Sequence, residues 1–271
     1  MIIPFAIMIY LAFTKWHPLL RVPWWSAPLG GASNFIKALG DSRFHWAFLR
    51  TIAFVGVAVP IEFLLGLGIA LLFLGKFRGK RLFTSIMLYP MMVPWAVVGL
   101  TFFLGFQDYG PVNMILLRWL LGKEVMISWF RNPTLAFGAI IVADIWQWTP
   151  LMFLILYSGL VAVPQRLIEA AKVLGASSSQ ILRRIQLPLV KSLIVVALII
   201  RSLEAFKVFD LVYIMTGGGP GFSTETLSVY IYKLAYVYHD TAYAAMIGVM
   251  ILLMLAIVTR FAIRPLEVKS E

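Results

Sequence analysis

The chain has 271 residues, of which 61% are apolar and only 13% charged, whereas an ordinary soluble domain is ~45–50% apolar and ~25% charged. That balance excludes a fully wetted surface and points to a membrane protein, so the net charge of +11 has to be read by position before it is taken for a nucleic-acid footprint. Cysteine is absent, which rules out disulfides, thiolate nucleophiles and cysteine-ligated metals.

A hydrocarbon core of ~30 Å requires about 20 apolar residues in a helix. Stretches of that kind predict an all-α fold: one polytopic transmembrane helical bundle over 1–271, with about six spans. The first, 1–14, covers only ~21 Å at helical rise and contains Pro4. No basic residue precedes it and no small-x-small site follows, so it does not read as a signal peptide. It reads instead as the distal part of a truncated first span. His17, His45 and His239 are isolated from one another in sequence, and no metal site is expected from them.

The second span, 48–74, holds Pro60 and a central Glu62, a candidate partner for Lys207. The turn after it, Gly75–Arg81 (GKFRGKR), superficially suggests a phosphate loop. It lacks the four-residue spacing and the Ser or Thr after Lys80 that the loop needs, so it reads as a basic anchor, and the chain shows no nucleotide site of its own. The third span, 82–106, carries Pro90 and Pro94, which predict a kink; it either shapes packing or serves a gate.

In the fourth span, 134–163, Asp144, Gln147, Trp148 and Leu151 follow i, i+3, i+4, i+7 and share a face. Trp146 and Trp148 lie too deep to be interfacial anchors. The fifth span, 192–215, holds Arg201, Glu204, Lys207 and Asp210. Ionisable residues at this depth are costly and therefore functional candidates. Arg201, Glu204, Ala205 and Val208 share one face, with Arg201–Glu204 and Lys207–Asp210 as candidate i, i+3 pairs. These charges either hold the bundle together or, with the fourth-span face, form a midplane site for a polyhydroxyl solute. Carboxylate, amide and guanidinium would meet its hydroxyls, and indole its C–H faces. The following GGGPG turn, Gly217–Gly221, is conformationally permissive, and a sixth span occupies 241–262.

Between the fourth and fifth spans, 164–191 predicts two short surface helices. Pro164 starts the first, Gly175 stops it in a left-handed cap, and Ser177 with Gln180 offers a capping box for the second. Leu167, Ala171 and Leu174, with Ile168 beside them, form an apolar face that needs a partner; a lipid surface is the alternative. Lys and Arg number eight in the 88 residues of 14–47, 107–134 and 215–240, but twelve in the 51 residues of 75–82, 161–191 and 260–271. The second set is therefore expected to be cytoplasmic, which makes the positive charge an orientation signal.

Glu169-Ala170-Ala171, three residues, Gly175, nine residues, Ile185, one residue and Leu187-Pro188 is a spacing that resembles the EAA loop of ABC-importer permeases. The similarity runs over nearly the whole chain and is closest to the sugar, maltose-type first-permease branch. Asp108–Asn113, Trp146–Pro150, Phe209–Leu211 and Gly217–Pro220 support it. Leu174 and Lys191 depart from it, standing where an Asp and a Pro are usual. The resemblance implies that Glu169, Ala170, Ala171 and Gly175 dock on a cytosolic ATPase. It also implies a second permease subunit, two ATPases that bind ATP and Mg, an extracytoplasmic solute-binding protein near the GGGPG loop, and no catalysis or cofactor in this chain. The expected solute is a sugar or related polyol, moved by alternating access. From the intramembrane carboxylates alone, the alternative is an ion-gradient-driven secondary transporter.

Overall fold

The computed structural model describes residues 2–75, 77–122 and 126–263. In chain order its α-helices are α1 (Ile2–Ala12), α2 (Ser33–Gly40), α3 (Ser42–Leu74), α4 (Lys80–Met92), α5 (Trp95–Gly105), α6 (Arg118–Leu121), α7 (Pro133–Ala162), α8 (Gln165–Val173), α9 (Ser178–Ile181), α10 (Leu187–Leu189), α11 (Lys191–Phe206), α12 (Asp210–Thr216), α13 (Leu227–Tyr232) and α14 (Thr241–Ile263). Lys76, within the basic turn, and the C-terminus from 264, expected to be cytoplasmic, lie outside the described residues.

Among the described residues three helices, α3, α7 and α14, are long and apolar enough to cross a bilayer, and the bent pair α4–α5 makes a fourth if taken as one span. At 1.5 Å per residue the 33 residues of α3 reach about 50 Å, well beyond a ~30 Å core. It starts at Ser42, six residues before the expected boundary, because Asp41 accepts from the Arg43 and Phe44 amides and caps it. Asn132 caps α7 in the same way, ahead of Pro133. Charge and amphipathic pattern do not reveal such an extension, whereas the cap does.

The bundle is organised on α3 against α7. At Gly66 the two backbones approach so closely that a Cβ would lie 2.7 Å from Met152 Cβ and 2.8 Å from the Phe153 amide nitrogen, a small-residue contact that membrane helices favour. Phe54, Ala58, Val98, Ile140, Met152, Leu211 and Val229 form the central core. α1 lies along α14, and Ala12, Phe206, Tyr230, Tyr243 and Met246 share a second cluster.

Two expected single spans are broken helices. In 82–106 the prolines do more than kink the helix: α4 and α5 meet at 94° across Val93–Pro94. In 192–215 the helix stops at Phe206 and restarts at Asp210, although neither Pro nor Gly lies there. The carbonyl of Val208 freed at this break accepts from the Thr226 hydroxyl, so a residue 18 positions away stabilises the interruption.

The segment 217–240, expected as a loop, folds back and forms α13. Gly217, Gly218 and Gly221 take φ of 58°, 91° and 61°, which only glycine adopts without strain. The turn leads to Glu225, fully buried, which accepts two 2.7 Å bonds from Arg43 and one of 2.9 Å from Lys233. Beside it, Asp41 accepts from the hydroxyls of Tyr230 and Tyr243. Burial pushes both carboxyls up, and the bonds from Arg43 and Lys233 to Glu225, and from the tyrosines and helix amides to Asp41, more than reverse it. Both carboxyls therefore sit below their ordinary range. A depressed folded-state pKa contributes stability that is present above the unfolded value and lost as pH falls through the folded one. Thermal unfolding in detergent is expected at lower temperature as pH drops from 5 towards 3. The drop should be shallower in Asp41→Asn and Glu225→Gln; equal slopes in native and variant proteins would refute the assignment.

Candidate functional site

Arg201 anchors the membrane interior. Only 1% exposed, it donates from Nε to Glu62 Oε2 at 2.5 Å, from Nη2 to Glu62 Oε1 at 2.8 Å, and from Nη2 to Asp144. Its guanidinium also lies 4.7 Å from the Trp148 ring centroid. Glu62 on α3, Asp144 on α7 and Arg201 on α11 thus tie three helices together, with both carboxylates buried. The expected Arg201–Glu204 and Glu62–Lys207 pairs do not form. Arg201 reaches inward, and Glu204 accepts instead from Lys207 at 2.7 Å. A buried guanidinium offers a planar fork that two carboxylates can share, and an i, i+3 partner at the edge cannot replace that in a dry interior.

Around this triad lie polar atoms that are buried and, among the described residues, have no hydrogen-bond partner: Asp144 Oδ1, Gln147 Oε1, Trp148 Nε1, Thr149 Oγ1 and Arg201 Nη1. Gln147 spends its amide Nε2 on the Val93 carbonyl, at 3.0 Å, the acceptor freed at the α4–α5 bend. On the expected face Asp144 and Gln147 are buried and Trp148 is half-buried. Ala205 and Val208, each 1% exposed, pack in the central core, and Leu151 is half-buried. None of the cavities described among these residues is lined by all eight expected solute-facing residues.

A polar cavity of about 430 Å³ does lie between the two helix breaks, lined by Trp95, Ala96, Glu204, Lys207 and Asp210. The larger cavities, such as the one of about 540 Å³ bounded by Thr101, Phe102, Pro111 and Trp129, are apolar grooves between helices. Of the five residues lining the polar cavity, only Glu204 belongs to the expected solute face. Trp95 and Ala96 carry no signal in sequence because Pro94 predicts a bend within one span, whereas it starts a new helix. The Trp95 ring meets Trp148 edge-on at 5.3 Å, which links the cavity wall to the buried triad.

The surface loop has the expected form, with part of its apolar stripe turned inward. Gly175 takes φ +80° and its amide donates to the Lys172 carbonyl, while the Ala176 amide donates to Ala171, the paired bonds of a Schellman cap. Ser177 and Gln180 form the capping box. Pro164 caps α8 rather than opening it. Ala171, expected at the docking face, is buried, and Ile168 packs against the cluster that includes Val163 and Val190. The outward surface includes Leu167, Glu169, Ala170, Val173 and Leu174, the last two 88% and 86% exposed. Of the expected apolar stripe, Leu167 and Leu174 stay exposed, whereas Ala171 and Ile168 turn inward.

Residues 62–264 match the family described as binding-protein-dependent transport system inner membrane component. The trehalose/maltose transport system permease protein MalF of Thermococcus litoralis is 38% identical over 214 residues, covering 79% of this chain and 70% of that protein. The sulfoquinovosyl glycerol transport system permease protein SmoG of Agrobacterium fabrum is 35% identical over 268 residues, covering 98% and 85%. Among solved structures, a bacterial ABC transporter involved in import of the acidic polysaccharide alginate shares the fold, with a TM-score of 0.81 at 20% identity over 98% of this chain and 90% of that one. A gradient-driven carrier gives way to these matches. The broken helices, the Glu169–Gly175 loop and the extent of the match agree: the chain is a multi-pass membrane protein belonging to the binding-protein-dependent transport system inner membrane component family, as a permease subunit of an ABC importer.

Proposed function

We propose that this permease moves a sugar or related polyol, and that the solute occupies the cavity between the two helix breaks. The observation that carries the location is the juxtaposition of Trp95 with Glu204, Lys207 and Asp210. An aromatic face covers the C–H surface of a pyranose, and convergent polar groups meet its hydroxyls. Discontinuous helices are where transporters place such sites. The names of the relatives, for trehalose and maltose and for sulfoquinovosyl glycerol, support a glycosidic solute.

In this reading the Glu169–Gly175 surface is cytoplasmic and docks on one of two ATPase subunits, which hold ATP and Mg. A second permease subunit completes the pathway, and an extracytoplasmic binding protein delivers the solute beside the Gly217–Gly221 turn. ATP-driven closure would move α8 and, through the packing of Ile168 on the cluster of Leu160, Val163 and Val190, the ends of α7 and α11. The ATP-bound and ATP-free states must differ in affinity for the docked loop for this to do work.

Proteoliposomes containing the whole importer and its binding protein test the proposal. Labelled trehalose or maltose should accumulate only with ATP on the ATPase side, and uptake should withstand an uncoupler. Uptake without ATP, or no uptake of any sugar, would refute it.

A further inference from the structure

A sugar permease can serve neutral cargo or anionic cargo, and the charges in and around the cavity distinguish the two. We infer that the Trp95–Asp210 cavity selects uncharged, hydroxyl-rich sugars and rejects sugar acids and sugar phosphates, with Asp210 as the residue that sets the preference. The inference rests on the proposed sugar site and adds the class of sugar to it.

The cations that an anionic solute would need are already engaged. Arg201 is 1% exposed, is shared by Glu62 and Asp144, and does not line the cavity. Lys207 lines the cavity, but its ammonium is 2.7 Å from Glu204. The cavity wall therefore holds two carboxylates against one ammonium. Asp210 is exposed, and among the described residues its side chain makes no hydrogen bond or ion pair.

An ionised carboxylate is an acceptor only, and sugar hydroxyls are donors. The bond between them is charge-assisted and stronger than a neutral one. A solute carboxylate or phosphate placed there would face an uncompensated like charge, the repulsive element that specificity requires. Trp95, held by its edge contact with Trp148, supplies the apolar wall for either class. Discrimination therefore falls to Asp210 and not to the ring.

The test uses the permease–ATPase complex in detergent without the binding protein, so that the permease's own preference is read. Binding of labelled glucose, maltose and trehalose is compared by equilibrium dialysis with that of glucuronate and glucose 6-phosphate. Neutral sugars should bind at least about tenfold more tightly than the anions, the size expected of one charge-assisted bond. Asp210→Asn, which keeps the shape, should close most of that gap, and Asp210→Ser should do the same. Glucuronate binding as well as glucose in the native complex would overturn the inference, as would a ratio unmoved by both variants. If neither class binds at all, the sugar site itself falls and the inference with it; if both bind alike, only the charge preference falls.

Discussion

Arg201→Met is expected to destabilise the folded permease by roughly 3–5 kcal/mol, the range for removing one partner of a buried ion pair. The loss comes mainly from what is left behind. Glu62 is fully buried and Asp144 1% exposed, so without the guanidinium two carboxylates would face one another in a dry interior. That cost exceeds whatever the intact triad contributes relative to an apolar core. A sharp signature follows: the triple variant Glu62→Gln, Asp144→Asn, Arg201→Met should be more stable than Arg201→Met alone, although it has lost more of the native contacts. Arg201→Lys should fall between, because an ammonium lacks the fork that spans Glu62 and Asp144 together. Thermal unfolding in detergent checks all three. If Arg201→Met and the triple variant unfold at the same temperature, the triad is not held by charge compensation.

The triad also shows what sequence could and could not supply. Hydropathy marks Arg201, Glu62 and Asp144 as ionisable residues inside apolar stretches, and a buried charge needs a partner. Which partner is a matter of helix rotation. Spacing favours Glu204, three residues from Arg201, but Arg201 points into the α3–α7 contact that Gly66 brings close. Because 82–106 and 192–215 read as continuous apolar runs, the breaks at Val93–Pro94 and Lys207–Phe209 were only half visible: Pro94 signals the first, whereas the second depends on Thr226, far along the chain. Trp95 and Asp210 were for that reason placed inside spans rather than at the mouths of a cavity. The α8 loop was more legible, since its Gly cap and Ser–Gln box are local. Only which residues of its apolar stripe turn inward, Ala171 and Ile168, required the structure.

Disrupting that loop should uncouple the importer. Gly175 holds φ +80° with open space around its Cβ position, so backbone conformation and not crowding decides what is tolerated there. Gly175→Ala should cost only about 1–2 kcal/mol locally, the left-handed penalty, and retain most activity. Gly175→Pro demands φ near −65° and removes the amide that donates to Lys172. It should break the cap and swing Val173 and Leu174 away from the docking surface. Glu169→Lys is the complementary probe. Glu169 is exposed and its side chain makes no hydrogen bond or ion pair among the described residues, so the permease fold should be untouched while a charge at the proposed ATPase contact is reversed. Both substitutions are expected to lower solute-stimulated ATPase activity at least about tenfold in the reconstituted importer, as loss of a central contact worth ~2 kcal/mol or more would. Thermal unfolding of the Glu169→Lys permease should match the native protein. That combination separates a surface built for docking from one that merely covers the bundle, and undiminished stimulation in both variants would remove the loop from the coupling path.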